Sequence, residues 1–333
     1  MSPTVSVIIC CYTQERLRDM REAVASVQRQ TRPPEQIVLA VDSNRDLYEC
    51  LRSDFGEPIR VVLNAGAKGL SATRNVGIAA AQGDLVAFLD DDAVAEAGWL
   101  ANLIAAFEDP EVHAAGGRAV LDWVEGRPPW LPEDLDWTVG GGFTWLPPKR
   151  TDVRNPHGHN MCFRREVFTS VGWFDGSLGR VANDGQAGEE AELCLRLKRR
   201  VPRATIVYEP ASVIRHKVRP ARGTWRYFLK RSYEEGLCKA RIEQLARAHG
   251  VRPLSTESAY LRHLLFRALP SRLVRFWRLS ELTQAAAIVA CISAVGVGHA
   301  VGRWRFRQIK AAGIQDAQPA NSGSAGRGGR TNG

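Results

Sequence analysis

Four short, predominantly apolar runs set the architecture of this chain. They are VSVIICCY (5–12), IVLAV (37–41), IRVVL (59–63) and LVAFL (85–89), broken only by Ser6 and Arg60. A near-continuous apolar run belongs to a strand buried on both faces, as in a parallel sheet covered by helices. The intervening segments supply such helices. Leu17, Met20, Val24 and Val27 fall at helical spacing within 15–30, and TRPPEQ then breaks the pattern. Further helices are expected over 71–82, stopping at Gly83, and near 98–108, with a strand near 112–121. The pattern predicts an α/β domain with a mostly parallel central sheet.

The fourth run ends in Asp90, Asp91 and Asp92. Adjacent carboxylates at a core boundary repel one another and resist ionisation, so a compensating positive group is required. In open parallel sheets ligands bind beyond the carboxyl ends of the strands. Asp42 closes the second run at that same edge. Alone, Asp42 would read as a turn or helix cap. Three successive acids exceed the need of one cap and suit a hard divalent cation, Mg²⁺ or Mn²⁺, under a diphosphate. No G-x-G-x-x-G follows the first run and no G-x-x-x-x-G-K-[ST] occurs, which argues against dinucleotide and P-loop chemistry.

Later segments fit the same plan. NMCFRREVF reads as a strand leading into a helix, GEEAELCLRLKRR (188–200) as a helix with acids at its positive end, and TIVYEP as a strand. Between them, residues 122–150 hold Trp123, Trp130, Trp137 and Trp145, five prolines and GGG at 140–142. A stretch of that length is either an irregular excursion with its own small core or a lid and aromatic platform for a sugar.

Five pieces, VSVIICCYTQERL, SVQRQTRPPEQIVLAVDSN, GLSATRNVGIAAAQGDLVAFLDDDA, GHNMCFRREVFTSVGWFD and GEEAELCLRL, occur in order across residues 4–217. Together they resemble a family 2 glycosyltransferase of the GT-A fold. The resemblance implies a UDP-sugar donor, inversion at the anomeric carbon, and a metal-binding DxD motif. Asp42 matches the acid that contacts uridine; Asp90 and Asp91 fall at the donor and Asp90 and Asp92 at the metal. His216 in VIRH matches a histidine that completes metal binding in such folds. Arg74 and Asn75 match an RNxG stretch beside the donor, where Arg74 would touch a phosphate or the base. Glu189 and Glu190 align with an acidic pair whose second member is the general base. Family members mostly carry aspartate there, and this chain carries Glu190.

The acceptor is approached through charge. Residues 214–310 hold 20 Lys/Arg against 5 Asp/Glu, a balance of +15, whereas the remainder, with 25 basic and 31 acidic residues, balances at −6. A basic C-terminal third calls for an anionic surface. Within it, 261–278 interleaves Leu, Phe and Trp with five arginines, the composition of an interfacial membrane helix. Residues 282–302 contain no Asp, Glu, Lys or Arg and would form a helix roughly 30 Å long, close to a bilayer core. That interleaving favours lipid over nucleic acid as partner. WRYFLKRSYEEGLCKARI (225–242), with the acidic motifs and the apolar tail, is similar to a subgroup that extends glucosyl-dolichyl-phosphate with glucuronate. The similarity implies UDP-glucuronate as donor and a polyprenyl-phosphate-linked saccharide as acceptor. Lys230, Arg231 and Lys239 are expected either to meet the lipid phosphate or the membrane surface, or to form a solvated basic helix face.

The expected organisation is a transferase domain over 1–220, a basic membrane-associating helical region over 221–310, and an unstructured tail over 311–333. The N-terminus runs directly into a strand without a signal-peptide pattern, and the seven cysteines form no C-x-x-C pair. Reduced thiols and a site on the cytoplasmic face of the cell membrane follow as expectations. Three alternatives stand beside this reading: transfer of a different hexose directly to polyprenyl phosphate, a nucleotidyltransferase, and a non-catalytic membrane-associated nucleotide-sugar-binding protein. A processive polysaccharide synthase is disfavoured by the lack of Q-x-x-R-W.

Overall fold

The computed structural model describes residues 2–142, 146, 148–180, 187–248 and 255–311. The expected tail and Trp145 therefore lie outside the described residues, apart from Ala311.

The first half winds as its hydrophobic pattern requires. In chain order come β1 (Val5–Cys11), α1 (Leu17–Gln28), β2 (Gln36–Asp42), α2 (Arg45–Phe55), β3 (Ile59–Asn64), α3 (Leu70–Ala80), β4 (Leu85–Asp90), β5 (Ala93–Ala95), α4 (Trp99–Ala106) and β6 (Val112–Trp123). The second half adds β7 (Thr151–Asp152), β8 (Asn160–Arg164), α5 (Arg165–Ser170), α6 (Glu189–Arg200), β9 (Thr205–Val218), α7 (Trp225–Ala248), α8 (Ser255–His263), α9 (Leu269–Leu273) and α10 (Leu279–Ala311).

The nine strands form one mixed sheet in the order β3-β2-β1-β4-β8-β6-β9-β5, with β7 paired to β9. Strands β3, β2, β1 and β4 are parallel neighbours. The chain leaves β1 for β2 on one side and returns as β4 on the other. The carboxyl ends of β1 and β4 thus flank a switch point, where an open sheet leaves a crevice. The antiparallel β8 then joins β4 to β6.

Both sheet faces are covered. Met20, Val24 and Val27 of α1, Leu47 and Leu51 of α2, and Trp99 and Leu103 of α4 pack on one face. Ile78 of α3, Phe168 of α5, and Leu193 and Leu197 of α6 pack on the other. This is why the strands read as near-continuous apolar runs. Helix α3 ends at Ala80, a little earlier than expected, because the chain must pass close to β1: a Cβ on Gly83 would lie 2.5 Å from Ser6 N.

Strand β9 extends well beyond TIVYEP. It runs for 14 residues, with a register shift between its pairing to Gly117 and to Arg118. Its last third pairs with β5, setting Ala93 opposite His216.

The composition boundary near 220 is not a packing boundary. Leu131, Leu135 and Val139 of the Trp-rich segment share a core with Phe228 of α7, Leu264, and Ile288 and Cys291 of α10. Trp130 stacks on Trp225 with ring centroids 4.4 Å apart, and Trp137 Nε1 donates to the Tyr260 hydroxyl. The described tryptophans thus serve an inner core rather than an open sugar platform. Helices α7 and α10 approach to backbone contact: a Cβ on Gly298 would lie 2.1 Å from Tyr233 O, and one on Gly236 2.2 Å from Val295 O.

The stretch 261–278 is not one helix. It comprises the end of α8, a π-helical turn at Leu264–Ala268, α9, and further turns. This stretch displays Phe266, Val274, Phe276 and Trp277, and Leu279 follows at the start of α10; Phe266 and Leu279 are more than 70 % exposed. One helix among the described residues is long and apolar enough to cross a membrane, Leu279–Arg305, and a third of its most apolar window is buried in the protein.

Candidate active site

The acids converge at the switch point. Asp90 is the last residue of β4, and the turn to β5 carries Asp91 and Asp92 inward, where they are 3 % and 2 % exposed. The β5–β9 register brings His216 alongside: its Nε2 lies 3.2 Å from Asp92 Oδ1 and 3.7 Å from Asp90 Oδ2. Lys217 N donates to Asp92 O at 2.9 Å and holds this junction. Donor atoms of Asp90, Asp92 and His216 all lie within 4.8 Å of one another. Asp92 Oδ1 and His216 Nδ1 are buried without a hydrogen-bond partner. Two carboxylates and an imidazole facing a common point, with orphaned polar atoms, fit a divalent cation such as Mn²⁺.

Fixed positive groups compensate the acids that sequence reasoning found hard to explain. Arg16, in the turn before α1, pairs with Asp91 at 2.6 Å and Asp92 at 3.0 Å. Arg222, just beyond β9, reaches Asp92 at 3.3 Å. Burial opposes charge on His216, but Asp92 and Asp90 outweigh it and lift the imidazole to about 9. Burial likewise works against ionised Asp90 and Asp92. His216 nevertheless holds Asp90 down at about 2, and His216 with Arg16 holds Asp92 lower still. Burial pushes Asp91 the other way, up to about 7, despite Arg16. A divalent cation would therefore have to displace the His216 proton, coupling metal uptake to proton release.

A cleft of about 700 Å³ opens over Asp90 and Asp91 and extends to Asp42, with Lys68, Arg180 and Lys230 along its walls. Asp42 accepts from Gly69 N and Asn64 Nδ2, both at 3.2 Å, so its carboxylate also braces the loop before α3. Ser43 follows it at φ +48, a left-handed conformation uncommon for a side-chain-bearing residue. The Trp-rich segment walls the site from behind. Gly140, at φ +104, sits so close to His216 that a Cβ would lie 2.5 Å from its Cε1.

Arg74 departs from expectation. It is 2 % exposed and is not among the residues that line the cleft. Its Nη1 pairs with Glu189 Oε1 at 2.5 Å and its Nη2 donates to Gly158 O at 2.9 Å. Asn75 likewise bonds the backbone of Phe174. The physical reason is local: the first turn of α6 buries Glu189, and an isolated buried carboxylate is costly. Arg74 is thus the counter-ion that seats α6, and Glu189 is its partner.

Glu190 is set differently. It lines a second cavity of about 460 Å³, whose walls include the start of α6 and residues of α7, α8 and α10. Burial first, and then Glu189, push its carboxyl up to about 7, into the range of a general base. Among the described residues, the two cavities share one lining residue, Arg231.

Arg16, Arg222 and His159 were not singled out as site residues from the sequence, and Arg231 was expected only at the lipid phosphate or the membrane surface. His159 stacks between His157 and His216, at 5.3 and 5.4 Å, and burial holds it neutral. The available signals were weak: a basic residue shortly after a strand, and His-x-His before β8.

These features define a nucleotide-sugar transferase of the GT-A fold. Residues 6–172 match the family model for glycosyl transferase family 2. The chain is 33 % identical over 304 residues to glucosyl-dolichyl phosphate glucuronosyltransferase of Haloferax volcanii, covering 90 % of this chain and 96 % of that protein. It belongs to glycosyltransferase family 2 and is a glycosyltransferase. A pre-mycofactocin glycosyltransferase of Mycobacterium tuberculosis is 33 % identical over 170 residues, covering 50 % of this chain and 34 % of that protein. Among solved structures, a mannosyltransferase of Pyrobaculum calidifontis in complex with GDP-Man and Mn²⁺ superposes with a TM-score of 0.56 at 17 % identity, covering 90 % and 88 % of the two chains. GalNAc-T7 with UDP, GalNAc and Mn²⁺ superposes at 0.53 and 16 % identity, covering 80 % of this chain and 58 % of that one.

Proposed function

We propose that this enzyme transfers a sugar, glucuronate in particular, from its UDP donor to a hydroxyl of a polyprenyl-phosphate-linked saccharide, with inversion, at the cytoplasmic face of a membrane. The observation that carries the reading is the convergence of Asp90, Asp92 and His216 where β4 ends beside β9, with Asp90 lining the 700 Å³ cleft and Glu190 lining the second cavity. The name of the Haloferax volcanii relative supports the donor and acceptor. The exposed Phe, Trp and Arg surface around α9 supports the membrane.

Asp90, Asp92 and His216 would hold Mg²⁺ or Mn²⁺, which when bound neutralises charge on the diphosphate leaving group. Asp42 accepts hydrogen bonds from the nucleoside at the far end of the cleft. Glu190 takes the proton from the acceptor hydroxyl. The hydroxyl oxygen forms a bond to C1 as the C1–O bond to the diphosphate breaks, and UDP leaves with the bonding electrons. One base and one displacement invert the anomeric centre.

The test is transfer from labelled UDP-sugars to a polyprenyl-phosphate glycoside, with Mn²⁺, Mg²⁺ or chelator, in wild type and Asp92→Asn. Metal-dependent label in the lipid fraction, abolished in the variant, is expected. Transfer that persists at full rate in Asp92→Asn would remove Asp92 from the metal site, and label appearing only in water-soluble product would overturn the lipid acceptor.

A further inference from the structure

Arg231, on the second turn of α7, is the lining residue shared by the donor cleft and the Glu190 cavity. Its guanidinium is held on two sides. It pairs with Glu235 at 3.0 Å and lies over the Trp137 ring, 5.7 Å from the centroid. Its Nη1 is buried and has no hydrogen-bond partner. A buried guanidinium with a donor left over is costly, because that N–H has given up water without replacement.

The partner of Arg231 belongs to a longer run of ion pairs: Glu235 also pairs with Lys239 at 2.9 Å, Lys239 pairs with Glu257 at 3.0 Å, and Glu257 pairs with Arg154 at 2.6 Å. Glu257 Oε2 is itself buried without a partner, which marks the cavity as polar at this end. The opposite walls, Leu261, Leu264, Ile292 and Val295, are aliphatic. The cavity therefore offers an oxyanion site at its junction with the donor cleft and an apolar wall beyond.

We propose that Arg231 is a specificity-determining residue that binds an oxyanion carried by one of the two reactants, where the cleft meets the cavity; this rests on the transferase reading above. The shared chemistry is a carboxylate or a phosphate. It has two sources: the C6 carboxylate of a uronate donor, or the phosphate that joins the acceptor sugar to its lipid. Arginine suits either, since its planar fork donates to oxyanions in pairs.

The experiment uses the full chain, wild type, Arg231→Gln and Arg231→Lys, with thermal melting to verify folding. In one arm, calorimetry without acceptor compares UDP-glucuronate with UDP-glucose. In the other, transfer kinetics compare a short polyprenyl-phosphate glucoside with an alkyl glucoside lacking phosphate. Arg231→Gln should weaken the anionic member of one pair by about 10- to 100-fold, leaving its neutral counterpart within about twofold. The pair affected names the source. Arg231→Lys, which keeps charge but not the fork, should recover part of the loss. If charged and neutral members fall together, or none moves, Arg231 is a packing residue and the inference is overturned. Wild-type protein that binds no UDP-sugar would overturn the transferase reading; wild type that binds and transfers while both variants match it would overturn the inference alone.

Discussion

Replacing Glu189 with Gln should move the pH dependence of the reaction without touching the base. Glu190 titrates at about 7 because burial and the Glu189 charge both disfavour its ionised form. With that value, only about a tenth of Glu190 is ionised at pH 6, so kcat/KM should fall roughly tenfold per unit below neutrality. Glu189→Gln removes the like charge. It also frees Arg74, 2.5 Å from the lost carboxylate, whose positive charge already favours ionised Glu190. Both changes act in one direction, and the acid limb should shift down by about one unit or more. The same change breaks a pair whose side chains are only 3 % and 5 % exposed, so stability should fall by about 3–5 kcal/mol. Initial-rate UDP release at saturating donor between pH 5 and 9, alongside melting curves, measures both. A folded Glu189→Gln enzyme whose acid limb stays near 7 would refute the coupling. Glu190→Gln should lose about 10²- to 10⁴-fold in kcat, with donor KM unchanged; near wild-type kcat would remove Glu190 from the base role.

Other perturbations test the metal, the helix pair and the membrane face. His216→Ala should raise the Mn²⁺ concentration for half-maximal activity by at least about tenfold, and an unchanged requirement would exclude His216 from the site. Gly298→Leu forces side-chain atoms into Tyr233 O, where a Cβ alone would sit at 2.1 Å. Melting should fall by the equivalent of about 3 kcal/mol or more, and an unaltered melting temperature would mean that α7 and α10 are not packed this closely. Phe276→Glu with Trp277→Glu should weaken co-sedimentation with anionic vesicles by at least about tenfold, each ring being worth about 1.5–3 kcal/mol when buried in lipid. Equal co-sedimentation would place membrane contact elsewhere. Deleting 261–310 is a poor substitute, because it also removes Leu264, Ile288 and Cys291 from a shared core.

What the sequence determined by itself was everything periodic or consecutive. Near-continuous apolar runs had to become strands covered on both faces, and β1, β2 and β4 are such strands because α1, α2 and α4 cover one face and α3, α5 and α6 the other, while the edge strand β3 leaves Arg60 exposed. Three acids in a row at a strand end announced an electropositive site. The packing around them supplied Arg16, Arg222 and His216 as the balancing groups, from positions up to 130 residues away. His216 reaches Asp92 through the β5–β9 register, which no local pattern encodes. The roles of like residues were likewise divided by burial. Arg74 faces inward to neutralise Glu189, while Glu190, one residue on, enters a cavity and keeps a raised carboxyl. The tryptophans between 122 and 137 were legible as aromatic content, but whether they met sugar or core depended on where α7 and α10 packed. Composition and periodicity act along the chain and survive in a one-dimensional reading. Charge compensation, cavity lining and helix seating depend on distances between segments remote in sequence, and only the tertiary structure sets those distances.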